Sequence, residues 1–160
     1  MLTRWLRIGD SAAGVYGTLL TLSVLVGLSL KKSGPGVMAI TIGVSAAVFW
    51  IAHVHAGLVA RWVRADTRPD RHAVGEIMAR EAPMIESAVP AVALMLLAWL
   101  GVLSTSAAVW TALVYGVVAL AVWGALIAYR AGLGMTGMAV VSGVNLGLGL
   151  VIVVLKLLIH

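Results

Sequence analysis

Cysteine is absent from this chain of 160 residues, and charged residues make up only 11% of it. Without cysteine, the chain can form neither a disulfide bond nor a thiolate metal or redox site. A soluble domain carries about 25% charged residues, so the deficit excludes a water-exposed globular protein. The chain also lacks HExxH, GxSxG and Walker motifs, and a pair of carboxylates deep in an apolar run. We therefore do not expect an enzyme.

Long hydrophobic runs take the place of the missing charge. Hydrophobic residues account for 62% of the chain, and its mean hydropathy is +1.08. The runs are about 20 residues long, which is the length of α-helix that crosses a hydrocarbon core about 30 Å thick. The composition predicts an all-α integral membrane protein with a single polytopic domain, residues 1–160, in a lipid bilayer. Its five predicted transmembrane helices cover about residues 8–30, 37–60, 85–103, 107–129 and 136–159.

Residues that favour turns and helix caps mark the breaks between these runs. Segment 31–36, Lys-Lys-Ser-Gly-Pro-Gly, is charged and turn-forming, and its length allows only an antiparallel hairpin of helices. Ser104 and its hydroxyl-bearing neighbours can cap a helix that starts near Ala107. The fourth helix ends at Arg130, whose cation can reach the membrane surface, and Gly132 then forms a turn. Consecutive helices are therefore expected to alternate in direction.

Lysine and arginine are unevenly divided between the two ends of the predicted helices. One side carries eight of them and the other three, and the positive-inside rule assigns the larger group to the cytoplasm. The N-terminus is then inside and the C-terminus outside, in a multi-pass protein of a prokaryotic-type plasma membrane. Because the basic residues flank the membrane, the net charge of +5 does not indicate a nucleic-acid partner. The eight are Arg4, Arg7, Arg61, Arg64, Arg68, Arg71, Arg80 and Arg130, and the three are Lys31, Lys32 and Lys156.

The one long connection, about residues 61–84, lies on the cytoplasmic side in this topology. Its segment 67–70 has the features of a helix start, with a proline in the first turn and Asp70 near the positive end of the helix dipole. Apolar residues then recur at helical spacing, Glu76 and Arg80 are predicted to pair, and Pro83 ends the segment. An amphipathic cytoplasmic helix is predicted at about 68–82, on the membrane surface or against the bundle. Four residues form either an ion-collecting face or a plain solvated surface: His72, Glu76, Glu81 and Glu86.

Small residues recur at four-residue spacing in two of the predicted helices. Ala13 and Gly17 form one such pair in the first helix, and Gly143 and Gly147 form another in the fifth. Small residues let helices approach closely, which matters because lipid provides no hydrophobic force between helices. The pairs are equally compatible with packing within one chain and with a homo-oligomer, which we expect this protein to form.

Ionisable and amide side chains within the runs are the candidates for function. A charge at the centre of a membrane helix costs about 2.5–3.5 kcal/mol, so such residues need a reason to be there. At 1.5 Å per residue, His53 and Asn145 lie about 12 and 14 Å inside the cytoplasmic boundary, and Asp10 is expected at a similar height. His53 and His55 are about 200° apart around a helix, so only one of them can face the interior. The alternatives are packing roles for the histidines and an ion pair with Arg7 for Asp10.

Two short segments carry a likeness to a known arrangement of membrane helices. Segment 7–14, Arg-Ile-Gly-Asp-Ser-Ala-Ala-Gly, places Asp10 in the first helix, and segment 129–133 leads into a glycine-rich last helix. With five helices and a cytoplasmic insert after the second, these features resemble the vacuolar iron transporter (VIT/CCC1-like) family, whose first helix bears an Asn-Asp-Gly signature. Three features differ: that signature is not intact, His53-Val54-His55 replaces a segment with Met and Glu, and the insert lacks paired ExxE glutamates.

The resemblance implies export of ferrous iron or manganese from the cytosol, coupled to protons. We accordingly expect a small divalent-metal or proton-coupled transporter with Fe²⁺ or Mn²⁺ as substrate and no resident cofactor. Asp10, Asn145 and either His53 or His55 would line its path. The alternative is a non-transporting membrane subunit or scaffold of a larger complex, which the faces of small residues also suit. A transporter requires its polar residues to share one inward face, whereas a scaffold does not.

Overall fold

The computed structural model describes residues 8–65 and 70–159, with side chains for 12–64 and 70–158, and these residues form helices and short connections without any strand. The prediction of an all-α protein is therefore confirmed. Asp10 lies within the first helix, but its side chain is outside the described part, as are Arg4, Arg7 and Arg68. In chain order the helices are α1 (Ile8–Leu30), α2 (Pro35–Ala65), α3 (Arg71–Glu86), α4 (Val89–Trp99), α5 (Thr105–Arg130) and α6 (Met135–Ile159).

Four of the described helices, α1, α2, α5 and α6, are long and apolar enough to cross a membrane. They match the first, second, fourth and fifth predicted helices, although α2 continues to Ala65 instead of ending near residue 60. The third predicted helix, over 85–103, is wrong in its bounds. The helix found there, α4, has 11 residues, or about 16 Å at 1.5 Å per residue, which is too short to cross alone. Taken together, α3 and α4 are long and apolar enough to enter the membrane as a pair bent by 43°, either as one broken span or as a re-entrant loop.

The predicted cap at Ser104 is confirmed. Its side-chain oxygen accepts a hydrogen bond of 3.2 Å from the Ala107 amide at the start of α5. The helix predicted at about 68–82 covers Arg71–Glu86 instead, and Asp70 precedes it as the N-cap, accepting a hydrogen bond of 2.8 Å from the Ala73 amide. At the other ends, Gly132 after α5 and Lys32 after α1 have φ of 69° and 52°. This left-handed conformation, which closes the last helical turn, is easy for glycine but unfavourable for lysine.

Helix α1 lies at the centre of the bundle and packs against α2, α3, α5 and α6. Helix α2 also packs along α3 and α4, while α6 lies mainly against α5. The apolar core joins α1, α2, α4 and α5, and its largest fully buried side chains include Leu22, Ile42, Met95 and Leu113. The apolar core therefore lies in the half of the bundle that contains α4. The other half contains α3, whose contacts are more polar than those of the core.

Helix α3 packs against α1 and α2, so it occupies the second of its two predicted positions, against the bundle. Ala73, Ile77 and Met84 are buried there. The predicted pair between Glu76 and Arg80 is wrong. Because α2 extends beyond residue 60, it brings Arg61 within 3.2 Å of Glu76, and Arg80 pairs instead with Glu81 at 3.1 Å.

The two predicted pairs of small residues differ in their surroundings. Ala13 is buried, and a Cβ placed on Gly17 would overlap the backbone of Met84. A Cβ on Gly143 or Gly147 would meet nothing within 4 Å. The first pair therefore serves packing within the chain, whereas the second lies on a face that this chain leaves open.

Candidate functional site

The break between α3 and α4 follows from two prolines that flank it. Pro83 lies inside α3, and Pro90 lies in the first turn of α4. A proline has no N–H group, so Pro90 cannot donate to the carbonyl of Glu86 as a helix would require. The amide of Ser87 still bonds to Pro83, at 3.1 Å, but the two helices then diverge. The chain therefore turns by 43° directly after the carboxylate of Glu86.

The break lies near the middle of the bundle. It is held against Gly17 of α1, where a Cβ would overlap both the Met84 carbonyl and the Ser87 hydroxyl. Gly17 is nine residues from the start of α1 and 13 from its end, or about 14 and 20 Å of helix. Tyr115, on the neighbouring α5, is similarly 10 residues from the start and 15 from the end, or about 15 and 22 Å.

A cavity of about 170 Å³ opens beside the break, between α1, the end of α3 and α5. Glu86 lines it and is exposed on the surface of the chain. The cavity is large enough to hold water molecules. Its polar lining residues are Thr18, Glu86, Ser87 and Tyr115, and Pro83, Ala119 and Trp123 complete the wall.

Two of the hydroxyl groups in this cavity have their protons engaged by the backbone. Thr18 donates to the Gly14 carbonyl at 2.7 Å, and Ser87 donates to the Met84 carbonyl at 2.8 Å. Their oxygen lone pairs remain available as acceptors or ligands. With the Glu86 carboxylate and the Tyr115 hydroxyl, the cavity presents an all-oxygen set, which suits protons, hydrated cations and hard metal ions.

His53 and His55 are separated as helical geometry requires. His53 is half-buried, and its ring lies 5.8 Å from that of Tyr16, centroid to centroid, at an angle of 55°. Its Nδ1 is 3.0 Å from the Phe49 carbonyl. A hydrogen bond there requires the proton on Nδ1, which leaves Nε2 as an acceptor in the neutral ring. His55 is exposed, so His53 is the histidine that faces the neighbouring helix α1.

The other predicted path residues lie apart from this histidine. Asn145 is buried at 8% exposure in the contact between α6 and α5, where a Cβ on Gly124 would come within 2.7 Å of its amide nitrogen. Because Tyr16 of α1 contacts His53 of α2, these two residues lie at about the same height in the bundle. Asp10 is six residues before Tyr16 on α1, so it lies about 9 Å from the height of His53 along the helix axis.

The polar residues predicted on α3 form separate ion pairs. His72 and Arg61 both approach Glu76, at 3.6 and 3.2 Å, while Glu81 pairs with Arg80. Such surface pairs contribute about 0–1 kcal/mol each to stability. Across residues whose side chains are described, no three His, Asp or Glu groups come together in a way that could hold a metal ion.

The sequence places Glu86 on the face that is either ion-collecting or solvated, and it does not indicate Thr18, Ser87 or Tyr115. The available indication is the pair of prolines, at 83 and 90, on either side of a carboxylate. The prediction that Pro83 ends its segment is wrong, because α3 continues to Glu86. The lining residues on α1 and α5 have no local sequence pattern that marks them, because their position in the cavity depends on how three helices pack.

Comparison of the chain with protein-family models, with curated proteins and with solved structures finds no match in any of the three.

Proposed function

We propose that this protein is a membrane transporter in which Glu86 takes up a proton or a cation from the cavity between α1, α3 and α5. The observation that carries the proposal is the bend between α3 and α4, near the middle of the bundle, which places the Glu86 carboxylate beside a cavity with three hydroxyl-bearing side chains. Discontinuous helices form the ion and substrate sites of many secondary transporters. An ionisable residue at this depth is costly unless it has such a role.

The charge of the cavity favours a proton or a monovalent cation. Glu86 is the one carboxylate among the described residues of the lining, so it neutralises a single positive charge. Thr18 and Ser87 add neutral oxygen ligands whose protons already point to the backbone. Fe²⁺ or Mn²⁺, which the family resemblance suggests, would need further negative charge at the site and is the second substrate class to test.

The orientation of the protein belongs to the same proposal. With the N-terminus inside, the ion pairs between Arg61 and Glu76 and between Arg80 and Glu81 lie toward the cytoplasmic surface. The cavity then lies between this charged end of α3 and the apolar half of the bundle that contains α4. A proton or cation would reach Glu86 past α3, because this is the polar route among the described helices.

The test is transport into liposomes that contain the purified protein. Proton flux is followed with an entrapped pH dye under an imposed potential, and uptake of Na⁺, Mn²⁺ and Fe²⁺ is measured separately. Glu86→Gln should reduce the transported flux to the level of empty liposomes. Glu81→Gln is the matched control, since Glu81 is also on α3 but pairs with Arg80 outside the cavity, and it should retain the flux.

Two results would count against this function. Wild-type liposomes that carry none of these ions faster than empty liposomes would exclude transport of the proposed substrates. A Glu86→Gln protein with undiminished flux would show that transport, if present, does not depend on the cavity.

The alternative, a non-transporting membrane subunit, is favoured by a different observation. In an apolar stretch of 18 residues within α6, only 6% of the residues are buried by the rest of the chain. A Cβ on Gly143 or Gly147 of this helix would meet nothing within 4 Å. Open small residues suit close contact with another membrane helix. This face is equally suited to a second copy of the chain, so a homo-oligomer is compatible with both functions, whereas a scaffold would also require a different protein bound in the native membrane.

A further inference from the structure

A second, larger cavity lies at the end of the bundle opposite to the ion pairs of α3. It has a volume of about 450 Å³ and opens between the turn from α1 to α2, the start of α5 and the end of α6. Its lining includes the apolar residues Met38, Val109 and Leu157. It also includes polar and positively charged residues, namely Ser29, Lys32, Ser33, Thr105, Ser106 and Lys156.

Lys156 is the most unusual side chain in this cavity. It is only 5% exposed, and its ammonium lies 4.5 Å from the centre of the Trp110 ring. That contact attracts the charge but accepts none of the three ammonium protons in a conventional hydrogen bond. Among the described residues no hydrogen-bond acceptor or carboxylate is paired with it. The side chain is enclosed while its ammonium faces the cavity. An acceptor bound in the cavity would therefore complete the hydrogen bonds that the described chain does not supply.

The described lining of this cavity contains no carboxylate side chain. Lys32 adds a second positive charge at the turn from α1 to α2. The lining residues therefore carry positive charge without a carboxylate among them, which attracts anions.

Backbone groups strengthen this preference. The first turn of α5 lines the cavity through Thr105 and Ser106. The N-terminal end of a helix carries a partial positive charge and N–H groups that suit oxyanions. At the start of α2 the lining residue is Pro35, which has no N–H to donate. The hydroxyls of Thr105 and Ser106 provide further donors.

We propose that this cavity binds an oxyanion of the phosphate class, either the headgroup phosphate of an anionic membrane lipid or a free inorganic anion. The donors are the enclosed Lys156, the exposed Lys32 and the first turn of α5. The apolar lining residues suit the glycerol and acyl portion of a lipid, whereas a free anion would use only the polar ones.

The test compares lipid and free phosphate as ligands of the purified protein. Native mass spectrometry measures retention of phosphatidylglycerol against phosphatidylcholine, and thermal unfolding measures stabilisation by inorganic phosphate. Lys156→Met and Lys32→Gln should each weaken binding of the preferred anion by about tenfold or more, as expected for the loss of a charge-assisted hydrogen bond. Lys31→Gln is the matched control, because Lys31 is exposed and outside the lining.

The outcomes separate the two sources of anion. Retention of phosphatidylglycerol alone identifies a lipid site, stabilisation by phosphate alone identifies a free-anion site, and competition between them identifies one site for both. The proposal is overturned if wild-type protein binds neither, or if both lysine variants bind as wild type does. Should Lys156→Met fail to fold, Lys32→Gln at the exposed mouth decides the question.

Discussion

Gly17 of α1 lies directly against Ser87, the residue at which the chain leaves α3. This contact joins the central helix of the bundle to the break that presents Glu86 to the cavity. A side chain at residue 17 would overlap both the backbone at Met84 and the Ser87 hydroxyl, so both would have to move. The position of the proposed ion site therefore depends on a glycine that makes no polar contact itself.

Gly17→Ala should destabilise the protein by about 1–3 kcal/mol, the usual cost of forcing extra volume into a packed interior. The measurement is unfolding of the purified protein in mixed micelles. Gly27→Ala is the matched control, since Gly27 is on the same helix and a Cβ there meets nothing within 4 Å. Equal stability of the two variants would contradict the close contact between α1 and the break.

The two histidines of α2 should respond differently to substitution. His53→Ala removes a ring contact with Tyr16, and such contacts contribute about 0.5–1.5 kcal/mol beyond burial. His55→Ala should leave stability unchanged, because His55 is exposed. The comparison uses the same unfolding assay, and a larger loss for His55 than for His53 would show that the assignment of the inward histidine is reversed.

Lys32→Gly should stabilise the protein. Lys32 has φ of 52°, a left-handed conformation that costs a residue with a side chain about 1 kcal/mol relative to glycine. The measurement is made without phosphate or anionic lipid, so that a bound anion does not mask the effect. Lys31→Gly lacks this strain and should not stabilise. A destabilised Lys32→Gly protein would argue that the lysine side chain contributes more than its backbone conformation costs.

The open face of α6 predicts the site of self-association. Gly147→Leu should shift the protein toward the monomer in sedimentation or crosslinking experiments in lipid nanodiscs, because the added side chain prevents close approach of a second helix. Gly27→Leu places the same side chain on another open glycine and should leave association unchanged. A wild-type protein that is already monomeric would remove the homo-oligomer from the proposal.

Much of the helix pattern was predictable from the sequence, because the bilayer dictates the length of each apolar run. Glycine, proline and hydroxyl residues then mark the ends, as Ser104 and Gly132 do. The extension of α2 to Ala65 was not predictable from hydrophobicity. It depends on contacts with α3, where Gly57 meets Ile77 and Arg61 meets Glu76.

The candidate site was harder to predict than the fold. A helical wheel places Glu86 on the polar face of an amphipathic helix, and nothing local indicates that α1 and α5 approach that position. Only the register set by Gly17 brings Thr18 and Tyr115 into the same cavity. Deeply placed polar residues such as His53 and Asn145 were easier to notice, yet they pack in separate helix contacts.

The most direct test of the central claim is the reactivity of Glu86 itself in the intact protein. An apolar carbodiimide modifies protonated carboxyl groups within the membrane, and mass spectrometry of the digested protein locates the adduct. Our proposal predicts that Glu86 is modified faster than Glu76 and Glu81, and that the transported cation slows the reaction. Modification of Glu86 no faster than of those two glutamates, with no effect of the cation, would contradict it.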